Sequence, residues 1–367
     1  MKPQDQTFVE VSISNILHNI KELKGLLARD VKFMAVVKAD AYGHGAVPVS
    51  KAIDNAVDCL AVATLSEAVE LKKAGIKAPI LLLSETHASN AVDIVKNGFI
   101  QTVYTLQLAS ALSAAAKKLN KKARVHLKID TGMGRVGVHF GEAEKLFRKI
   151  SKLPHLGIEG IFTHFAGSEE MDEFTSEQLK RFKSFISKID HVSYILHAAN
   201  SAAVINHKAS HLDMVRVGLS MYGIYPQGIK KHIVDLKPAL QFKTHVVYLK
   251  NVPAGTPLSY GSTYITKKPA TIATLPVGYA DGLPRALSNK GEVLIRGKRF
   301  PIVGRVCMDL TLADVGDSNI KVGDEVVLIG SQGKEVISAD DMGKLADTIS
   351  YEIICGIGKR VPRIYKQ

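Results

Sequence analysis

A repeated unit runs through about the first 220 residues of the chain. Each repeat consists of a short apolar run, a polar break and a stretch with helical periodicity, and eight apolar runs of this kind can be counted. Strands that alternate with helices form parallel sheets, and eight units of this size suit a closed (β/α)8 barrel. The sequence therefore predicts a TIM-type barrel of the α/β class, with an open doubly wound sheet as the alternative. The predicted strands are residues 33–37, 59–63, 79–83, 101–104, 124–129, 158–163, 193–197 and 214–217, and the clearest predicted helices are 16–27, 106–119, 143–152 and 178–189.

The character of the chain changes after about Gly223. Pro, Gly, Thr and Val become frequent, and alternating stretches such as "GEVLIRGKRFPIVG" replace the helical periodicity. This pattern predicts a smaller, mostly β domain over residues 236–367, after a barrel domain over residues 1–235. One helix is predicted there, with Ser338 as its N-cap. The opening segment "TFVEVSIS" alternates like a strand, and pairing of residues 1–10 with the second domain is an alternative to a place in the first.

The charge balance raises the question of a nucleic-acid partner. The formal net charge is +13, as in many nucleic-acid-binding proteins. The lysines are dispersed beside helical and turn patterns, where a solvated surface is the ordinary explanation. Because no basic stripe with interleaved aromatic residues is present, we predict no nucleic-acid partner. A steep salt dependence of DNA binding would contradict this prediction.

Signals for export, membrane insertion or metal binding are absent from the sequence. Residues 1–10 are polar, and no run approaches the ~18 apolar residues of a membrane-spanning helix. The three cysteines are far apart and form neither a disulfide framework nor a zinc spacing. His207 and His211 have i,i+4 spacing but lack a third ligand, so we expect them at the surface. The sequence predicts a cytoplasmic protein with no metal site and no membrane partner.

Polar residues follow the apolar runs at the positions where barrel strands would end. Active sites of such barrels lie at the carboxyl ends of the strands. A lone histidine there is more often a core residue, but several polar groups on one rim are hard to explain by packing. The sequence therefore predicts a site built from Lys38, Lys128, Asp130, His164, His197, Asn200, Ser201, Arg216 and Gly218.

The last two barrel units point to a cofactor that carries a phosphate. Ser201 offers a hydroxyl at a predicted helix start, and the segment at Gly218 offers backbone N–H groups. Loops after the seventh and eighth strands commonly bind phosphate in barrels. Together with a lysine at a strand end, they suggest a Schiff base to pyridoxal phosphate. The segment "GMGRVG" matches a dinucleotide motif, but it lies at the fifth strand, so a turn that places Arg135 at the rim is preferred.

A series of ordered blocks resembles the alanine racemases, which use pyridoxal phosphate to interconvert L- and D-alanine. The blocks are "VVKADAYGHG", "HLKIDTGMGRVG", "FTHFA", "HAANSAA", "VRVGLSMYG", "LSYGSTY", "PVGYADG", "PIVGRVCMD" and "TISYEIICGIGKRVPRIY". The resemblance covers the chain from end to end. It implies a barrel followed by a β domain, and a homodimer in which the partner's second domain completes each site.

The resemblance also implies roles for particular residues. Lys38 corresponds to the lysine that binds the cofactor and serves as one catalytic base, and Tyr264 to the second base, supplied by the partner subunit. Arg216 corresponds to the arginine facing the pyridine nitrogen, His164 to its neighbour, and Lys128 to a lysine that many members carbamylate. The remaining correspondences are Tyr42, Asn200, Ser201, Gly218, Leu219 and Tyr351 as cofactor contacts, Arg135 beside the phenolic oxygen and the substrate, and Met308 at the substrate carboxylate.

Other functions stay open at this stage. A serine or broad-specificity racemase would share these residues. A barrel-type pyridoxal-phosphate decarboxylase would share the two-domain plan, but it pairs the pyridine nitrogen with a carboxylate where this chain has Arg216. A non-catalytic pyridoxal-phosphate carrier would lack a second domain. We predict an alanine racemase that supplies D-alanine for cell-wall peptidoglycan, with alanine catabolism as the alternative role.

Overall fold

The chain forms two compact units in the computed structural model, which describes residues 7–170, 172–190, 193–229 and 233–367. The barrel unit comprises the described residues of 15–41 and 46–237. The second unit comprises residues 7–14, 42–45 and 238–367. The expected domain boundary between residues 235 and 236 stays a prediction.

The strands and helices are numbered here in chain order. The strands are β1 (Phe8–Ser12), β2 (Lys32–Val36), β3 (Cys59–Val62), β4 (Ile80–Leu82), β5 (Ile100–Val103), β6 (Ala123–Asp130), β7 (Val138–His139), β8 (Leu156–Phe162), β9 (Ile195–His197), β10 (Met214–Val217), β11 (Leu240–His245), β12 (Tyr248–Val252), β13 (Pro257–Leu258), β14 (Tyr264–Ile265), β15 (Ala270–Leu275), β16 (Glu292–Ile295), β17 (Lys298–Pro301), β18 (Thr311–Gly316), β19 (Glu325–Gln332), β20 (Glu335–Ile337) and β21 (Arg363–Lys366). The α-helices are α1 (Ile13–Gly25), α2 (Lys38–Tyr42), α3 (Ala46–Ile53), α4 (Leu65–Lys73), α5 (Ala91–Asn97), α6 (Leu106–Lys118), α7 (Ala143–Ile150), α8 (Asp172–Ile186), α9 (Ser201–Asn206), α10 (Ala339–Ala346) and α11 (Ser350–Cys355).

Eight parallel strands close into a barrel in the barrel unit. Their order is β5-β4-β3-β2-β10-β9-β8-β6, and the pairing of β5 with β6 closes the sheet. Strands such as β3 are buried at every position, as expected where helices cover one face of a sheet and barrel side chains fill the other. All eight predicted strands form within one or two residues of their predicted ends. The TIM-type fold is confirmed, and the open sheet is excluded.

The barrel helices follow from their capping and burial patterns. The hydroxyl of Thr105 accepts a hydrogen bond from the N–H of Leu108 and so begins α6 at the predicted residue. Helix α8 begins six residues before the predicted 178, at Asp172. Asp172 and Glu173 lie in its first turn, where negative charges favour a helix start. The predicted start missed this polar turn because it followed the apolar periodicity alone.

The second unit is built from mostly antiparallel sheets, and the change in sequence pattern had predicted a mostly β domain. Its largest sheet has the order β17-β16-β19-β11-β1-β21, with β20 paired to β19. Strand β1 pairs antiparallel with β11 and parallel with β21. The start of the described chain therefore adds a strand to the second unit. Residues 1–6 of the stretch considered for this pairing lie outside the described residues.

The second unit contains one expected helix and one that the sequence analysis missed. Ser338 caps α10 through a capping box, in which its hydroxyl accepts from the N–H of Asp341 and the Asp341 carboxylate accepts from the N–H of Ser338. Helix α11 was not predicted. It has six residues and lacks a side-chain hydrogen bond at its N-cap, Ile349, so neither periodicity nor a cap marks it in the sequence.

The histidine pair of the sequence analysis is only partly at the surface. His211 is 5% exposed, and its ring Nε2 lies 2.9 Å from the carbonyl of Val204. The expectation of a surface position for His211 was therefore wrong, because this ring packs back onto its own helix–loop segment. Among the described residues, no group of His, Cys, Asp and Glu side chains is arranged to hold a metal. Within the same residues, no helix is long and apolar enough to cross a membrane.

Candidate active site

A cluster of cationic side chains gathers at the strand ends of the barrel. Lys38 follows β2, Lys128 lies near the end of β6, and Arg216 lies in β10. His164 lies two residues after β8 and is near enough to these cations to be affected by their charges. Burial lowers the pKa of His164 well below its usual range, and the charges of Arg216, Lys128, Arg135 and Lys38 lower it further. These residues of the predicted site therefore lie close together within the barrel unit.

Lys128 is an almost buried amine within this cluster. Its side chain is 6% exposed, and its Nζ lies 5.4 Å from the centre of the Phe162 ring. Burial, followed by the charges of Arg216 and Arg135, lowers the pKa of Lys128 to about 8, whereas Asp130 acts in the opposite direction. A substantial fraction of this amine is therefore neutral near pH 7.5, unlike an ordinary lysine.

Arg216 forms a buried hydrogen-bond network in which no carboxylate of the described residues takes part. Its guanidinium contacts the ring of His197 at 3.0 Å, that of His164 at 3.2 Å, and the carbonyls of Thr163 and Ala198 at 2.8 and 2.9 Å. Burial lowers the pKa of Arg216 to about 9, which still leaves the side chain cationic at neutral pH. The network therefore holds a positive charge with neutral acceptors around it.

The network fixes the proton positions on two further histidines. A guanidinium can only donate, so Nδ1 of His197 accepts and its proton resides on Nε2. That Nε2 lies 2.9 Å from Nδ1 of His126, which must accept in turn. His197 also stacks on Phe162, with ring centres 4.6 Å apart and planes 9° apart. Burial and the charges of Arg124 and Arg216 lower the pKa of His126 to about 3, so this ring stays neutral.

His126 was not among the site residues predicted from the sequence. It lies two residues before Lys128 in β6, and residues i and i+2 of a strand share a face. The face was therefore readable in the sequence, although a single histidine in an apolar strand carries little signal. Its neighbour across the sheet is Gly160, where an added Cβ would lie 2.7 Å from the His126 ring.

Hydroxyl and N–H groups after β9 and β10 form a second part of the site. The Ser201 hydroxyl accepts from the N–H of Gly218 at 3.0 Å and of Ser220 at 3.4 Å. Asn200 caps α9, because its side-chain oxygen accepts from the N–H of Ala203. The hydroxyl of Ser220 is buried and has no hydrogen-bond partner among the described residues. Leu219 begins a short 3₁₀ helix in the same segment.

Ser220 supports a bound group with acceptor atoms. A buried hydroxyl without a partner is costly, and a phosphate oxygen would satisfy it. The N–H groups of Gly218 and Ser220 already donate to the Ser201 hydroxyl. The buried Ser220 hydroxyl is therefore the feature of this segment that fits a phosphate-bearing cofactor.

Arg135 lies in a tight glycine-rich turn between β6 and β7. The Asp130 carboxylate accepts from the N–H groups of Gly132 and Gly134 at 2.9 and 3.1 Å. Gly137 has a φ of +129°, and an added Cβ there would lie 2.8 Å from the backbone nitrogen of Asp130. Only glycine fits this close approach, which folds the "GMGRVG" segment back on the end of β6.

The chain turns in an unusual way after Lys38. Ala39, Asp40, Ala41 and Tyr42 have φ angles of 51°, 54°, 52° and 55°, which is a left-handed helical turn without glycine. Left-handed geometry costs about 1–2 kcal/mol for each such residue. The sequence gives no sign of it, because glycine is the usual marker of positive φ. Strain of this kind persists only where surrounding contacts impose it, and it is common at functional sites.

Four predicted site residues belong to the second unit. Tyr42 and Tyr351 lie near each other, with ring centres 6.0 Å apart, and burial raises the pKa of Tyr42, as does the neighbouring Tyr351. The hydroxyl of Tyr264 donates to the Asp314 carboxylate at 3.1 Å. Burial and this carboxylate raise the pKa of Tyr264. Met308 is 53% exposed.

The fold and this site define a two-domain barrel enzyme, and comparison with known proteins identifies its family. The chain matches the family model "Alanine racemase, N-terminal domain" over residues 11–226 and "Alanine racemase, C-terminal domain" over residues 239–365. The chain belongs to the alanine racemase family.

Similar proteins cover the full chain. "Alanine racemase 2" of Caldanaerobacter subterraneus subsp. tengcongensis is 50% identical over 366 residues, which are 98% of this chain and 94% of that protein. A solved alanine racemase of Clostridium difficile 630 is 40% identical with a TM-score of 0.94, over 100% of this chain and 97% of the other. The structure of alanine racemase from Bacillus anthracis with bound L-Ala-P is 37% identical with a TM-score of 0.92, over 100% and 96% of the two chains.

Proposed function

We propose that this protein is an isomerase that interconverts L- and D-alanine with pyridoxal phosphate as its cofactor. Family membership supports the reaction, and the similar structure with bound L-Ala-P supports alanine as the substrate. The main support for the proposal is the environment of Arg216. This side chain is a buried cation whose hydrogen-bond acceptors among the described residues are imidazoles and carbonyls. It lies on β10, the strand that pairs with β2. A decarboxylase of the related type would need a carboxylate there.

The residues that would hold the cofactor divide into three groups. Lys38 would bind it covalently. Arg216, with His164 beside it, would face the pyridine nitrogen, and Arg135 would lie near the phenolic oxygen. The phosphate would be bound by Tyr42, Asn200, Ser201, Gly218, Leu219 and Tyr351, and the unpartnered hydroxyl of Ser220 supports this placement. Pyridoxal phosphate supplies the electron sink that makes the α-hydrogen of a bound amino acid acidic.

Two proton carriers account for racemisation. Racemisation requires that a proton leave one face of the α-carbon and return to the other. The amine of Lys38 would serve one face, for the proton of D-alanine. The hydroxyl of Tyr264 of the partner subunit would serve the other, in a homodimer whose sites are shared. Met308, also from the partner subunit, would help to hold the substrate carboxylate.

Arg216 would act by keeping the ring nitrogen of the cofactor unprotonated. A permanent cation beside the ring nitrogen opposes protonation of that nitrogen. This weakens electron withdrawal and favours return of the proton to the α-carbon over side reactions. The hydrogen bonds of His197 and the Thr163 carbonyl keep the guanidinium in place for this role.

Lys128 is proposed as a carbamylated residue. A carbamate forms when a neutral amine attacks carbon dioxide and releases one proton from its nitrogen to solvent, and the lowered pKa of about 8 supplies the neutral amine. A carbamate would replace the repulsion between Lys128 and Arg135 by an attractive pair. Mass spectrometry under native conditions with added bicarbonate would detect the added 44 Da.

The test of the proposed function is direct. The purified protein is incubated with pyridoxal phosphate and L-alanine, and the product is analysed on a chiral column. D-alanine should accumulate until the two enantiomers are present in equal amounts. The Lys38→Ala variant should form no D-alanine. Faster racemisation of L-serine would assign a different substrate, and release of carbon dioxide from a basic amino acid would assign a decarboxylase. Supply of D-alanine for peptidoglycan is the role we propose in the cell.

A further inference from the structure

Glu67 joins the ends of two neighbouring barrel strands next to Lys38. Its Oε1 accepts from the backbone N–H of Ala39 at 2.7 Å. Its Oε2 accepts from the N–H of Ala63 at 2.8 Å and of Thr64 at 3.0 Å. Ala39 immediately follows Lys38, and Ala63 immediately follows β3, which pairs with β2. One carboxylate on α4 therefore ties both strand ends together.

The left-handed turn after Lys38 needs such a partner. One hydrogen bond at the turn runs from the N–H of Ala41 to the carbonyl of Val37 at 2.9 Å. The N–H of Ala39 lies before it, where the first N–H groups of a helical turn lack internal partners. A carboxylate makes a stronger bond to such an N–H than a neutral oxygen does. The bond to Glu67 thus holds a strained segment at its first residue.

The bond also restrains Lys38 itself. The peptide unit between Lys38 and Ala39 is planar and includes the Cα of Lys38. Holding the N–H of Ala39 in place therefore also fixes the orientation of the backbone at that Cα. The side chain of Lys38 then starts from a defined backbone direction. This matters for an amine that must reach both a cofactor and a substrate proton, because small displacements of a reacting group cost rate.

We propose that Glu67 is a positioning residue for Lys38, acting through the N–H of Ala39. The proposal rests on the proposed function only for the role that it gives to Lys38. In structural terms, the Glu67 carboxylate fixes the backbone at the junction of Lys38 and Ala39, which the left-handed turn alone would not do.

The competing explanation is that Glu67 merely caps a helix. Glu67 does form a capping box at the start of α4, because the Thr64 hydroxyl accepts from the N–H of Glu67 and the Glu67 carboxylate accepts from the N–H of Thr64. The box uses only Oε2. The bond to Ala39 uses Oε1. Since the two roles depend on different oxygens, they can be separated by substitution.

Two variants separate them. Glu67→Gln keeps one acceptor oxygen, and two N–H groups face Oε2 whereas one faces Oε1. The amide oxygen should therefore stay at the cap, which leaves the NH₂ group against the N–H of Ala39. Thr64→Ala does the reverse, since it weakens the cap and keeps the bond to Ala39. Glu85→Gln is the charge-matched control. The Glu85 carboxylate accepts from the N–H groups of Tyr104 and Thr105, which follow β5 rather than β2.

The measurements separate effects on the function of Lys38 from effects on the stability of the fold. For Glu67→Gln we expect about tenfold weaker retention of pyridoxal phosphate and about tenfold lower kcat, as loss of one charged hydrogen bond implies. The KM for alanine should change less than about twofold, and the pH titration of the absorbance of the bound cofactor should shift. Thr64→Ala should lower the Tm and leave these properties unchanged. Glu85→Gln should also leave them unchanged.

A measurement without cofactor makes the proposal independent of activity. Hydrogen exchange at the Ala39 amide of the cofactor-free protein should be faster in Glu67→Gln than in wild type or Thr64→Ala. Unchanged exchange would overturn the proposal, as would equal losses of cofactor retention and kcat in Thr64→Ala. If wild type does not racemise alanine, the proposed function fails, while the exchange experiment still decides whether Glu67 holds the turn.

Discussion

At the scale of single residues, the barrel rim carries two buried or half-buried lysines, and either could bind the proposed cofactor. Lys38 and Lys128 both contribute to the charge around His164, and burial and nearby cations lower the pKa of Lys128 to about 8. The assignment of the cofactor to Lys38 therefore needs an experiment that distinguishes the two amines.

Borohydride reduction followed by peptide mapping makes that distinction. We expect the label on Lys38, because it follows β2 directly and lies at the left-handed turn. Lys38→Ala should lose the absorbance of the bound cofactor, whereas Lys128→Ala should keep it. A label on Lys128 in the wild-type protein would refute the assignment.

A second prediction concerns the proton on Tyr264. The Asp314 carboxylate accepts the Tyr264 hydroxyl proton, and burial and Asp314 together raise the pKa of that hydroxyl. Asp314→Asn removes one of the raising causes, so the pKa of Tyr264 should fall. The pH limb of racemisation that requires deprotonated Tyr264 should move to lower pH.

The control for that prediction is a double variant. In a Tyr264→Phe background, Asp314→Asn should have no effect on the pH profile, because the titrating hydroxyl is gone. A shift of equal size in both backgrounds would mean that Asp314 acts on another group.

At the scale of elements, the strands were predictable and several helix starts and turns were not. Buried parallel strands appear as apolar runs of four to eight residues, and this made β2 to β10 visible except for the two-residue β7. Helix α8 began early because its first turn is acidic. The turn at Ala39 to Tyr42 was invisible because it contains no glycine and because Glu67, which accepts from its first N–H, is distant in the sequence.

The candidate site shows the same division. The residues at the barrel rim, such as Lys38 and Arg216, could be found from strand periodicity because a parallel barrel brings all its strand ends to one edge. Tyr264 and Met308 were assigned to the site only through resemblance and stay predictions, since no local sequence pattern links a β domain to a barrel rim. His126 was missed because a core histidine has no sequence signal of its own.

The packing of His126 leads to a prediction for β8. An added Cβ at Gly160 would lie 2.7 Å from the His126 ring and 2.8 Å from both of its nitrogens. Because His126 is hydrogen-bonded to His197, and His197 to Arg216, the ring has little freedom to move. Gly160→Ala should lower the free energy of unfolding by about 1–3 kcal/mol, the usual cost of overpacking.

Chemical denaturation with Gly25→Ala as the control checks this. Gly25 ends α1, and an added Cβ there would meet nothing within 4 Å, so that variant should be neutral or slightly stabilising. If Gly160→Ala is as stable as Gly25→Ala, the His126 ring is not fixed by its network.

At the scale of the whole molecule, the chain passes between its units beside the proposed cofactor lysine. Residues 42–45 belong to the second unit. An added Cβ at Gly43 would lie 2.1 Å from the carbonyl of Ile354, and the Gly43 carbonyl accepts from Arg363. The segment that follows Lys38 is therefore packed by residues from the end of the chain.

The proposed homodimer leads to the last prediction, because Lys38 and Tyr264 belong to different units. The two groups must act on opposite faces of one α-carbon, each within about 3 Å of the proton that it transfers. If Tyr264 acts across the dimer, Lys38→Ala and Tyr264→Phe homodimers each lack one base in both sites. A heterodimer of the two has one site with both defects and one site with neither. Mixing two nearly inactive proteins should then restore up to half of the activity of a wild-type dimer in each heterodimer. Subunit exchange is measured separately by native mass spectrometry. Exchange without any return of racemisation would show that Lys38 and Tyr264 act within one chain.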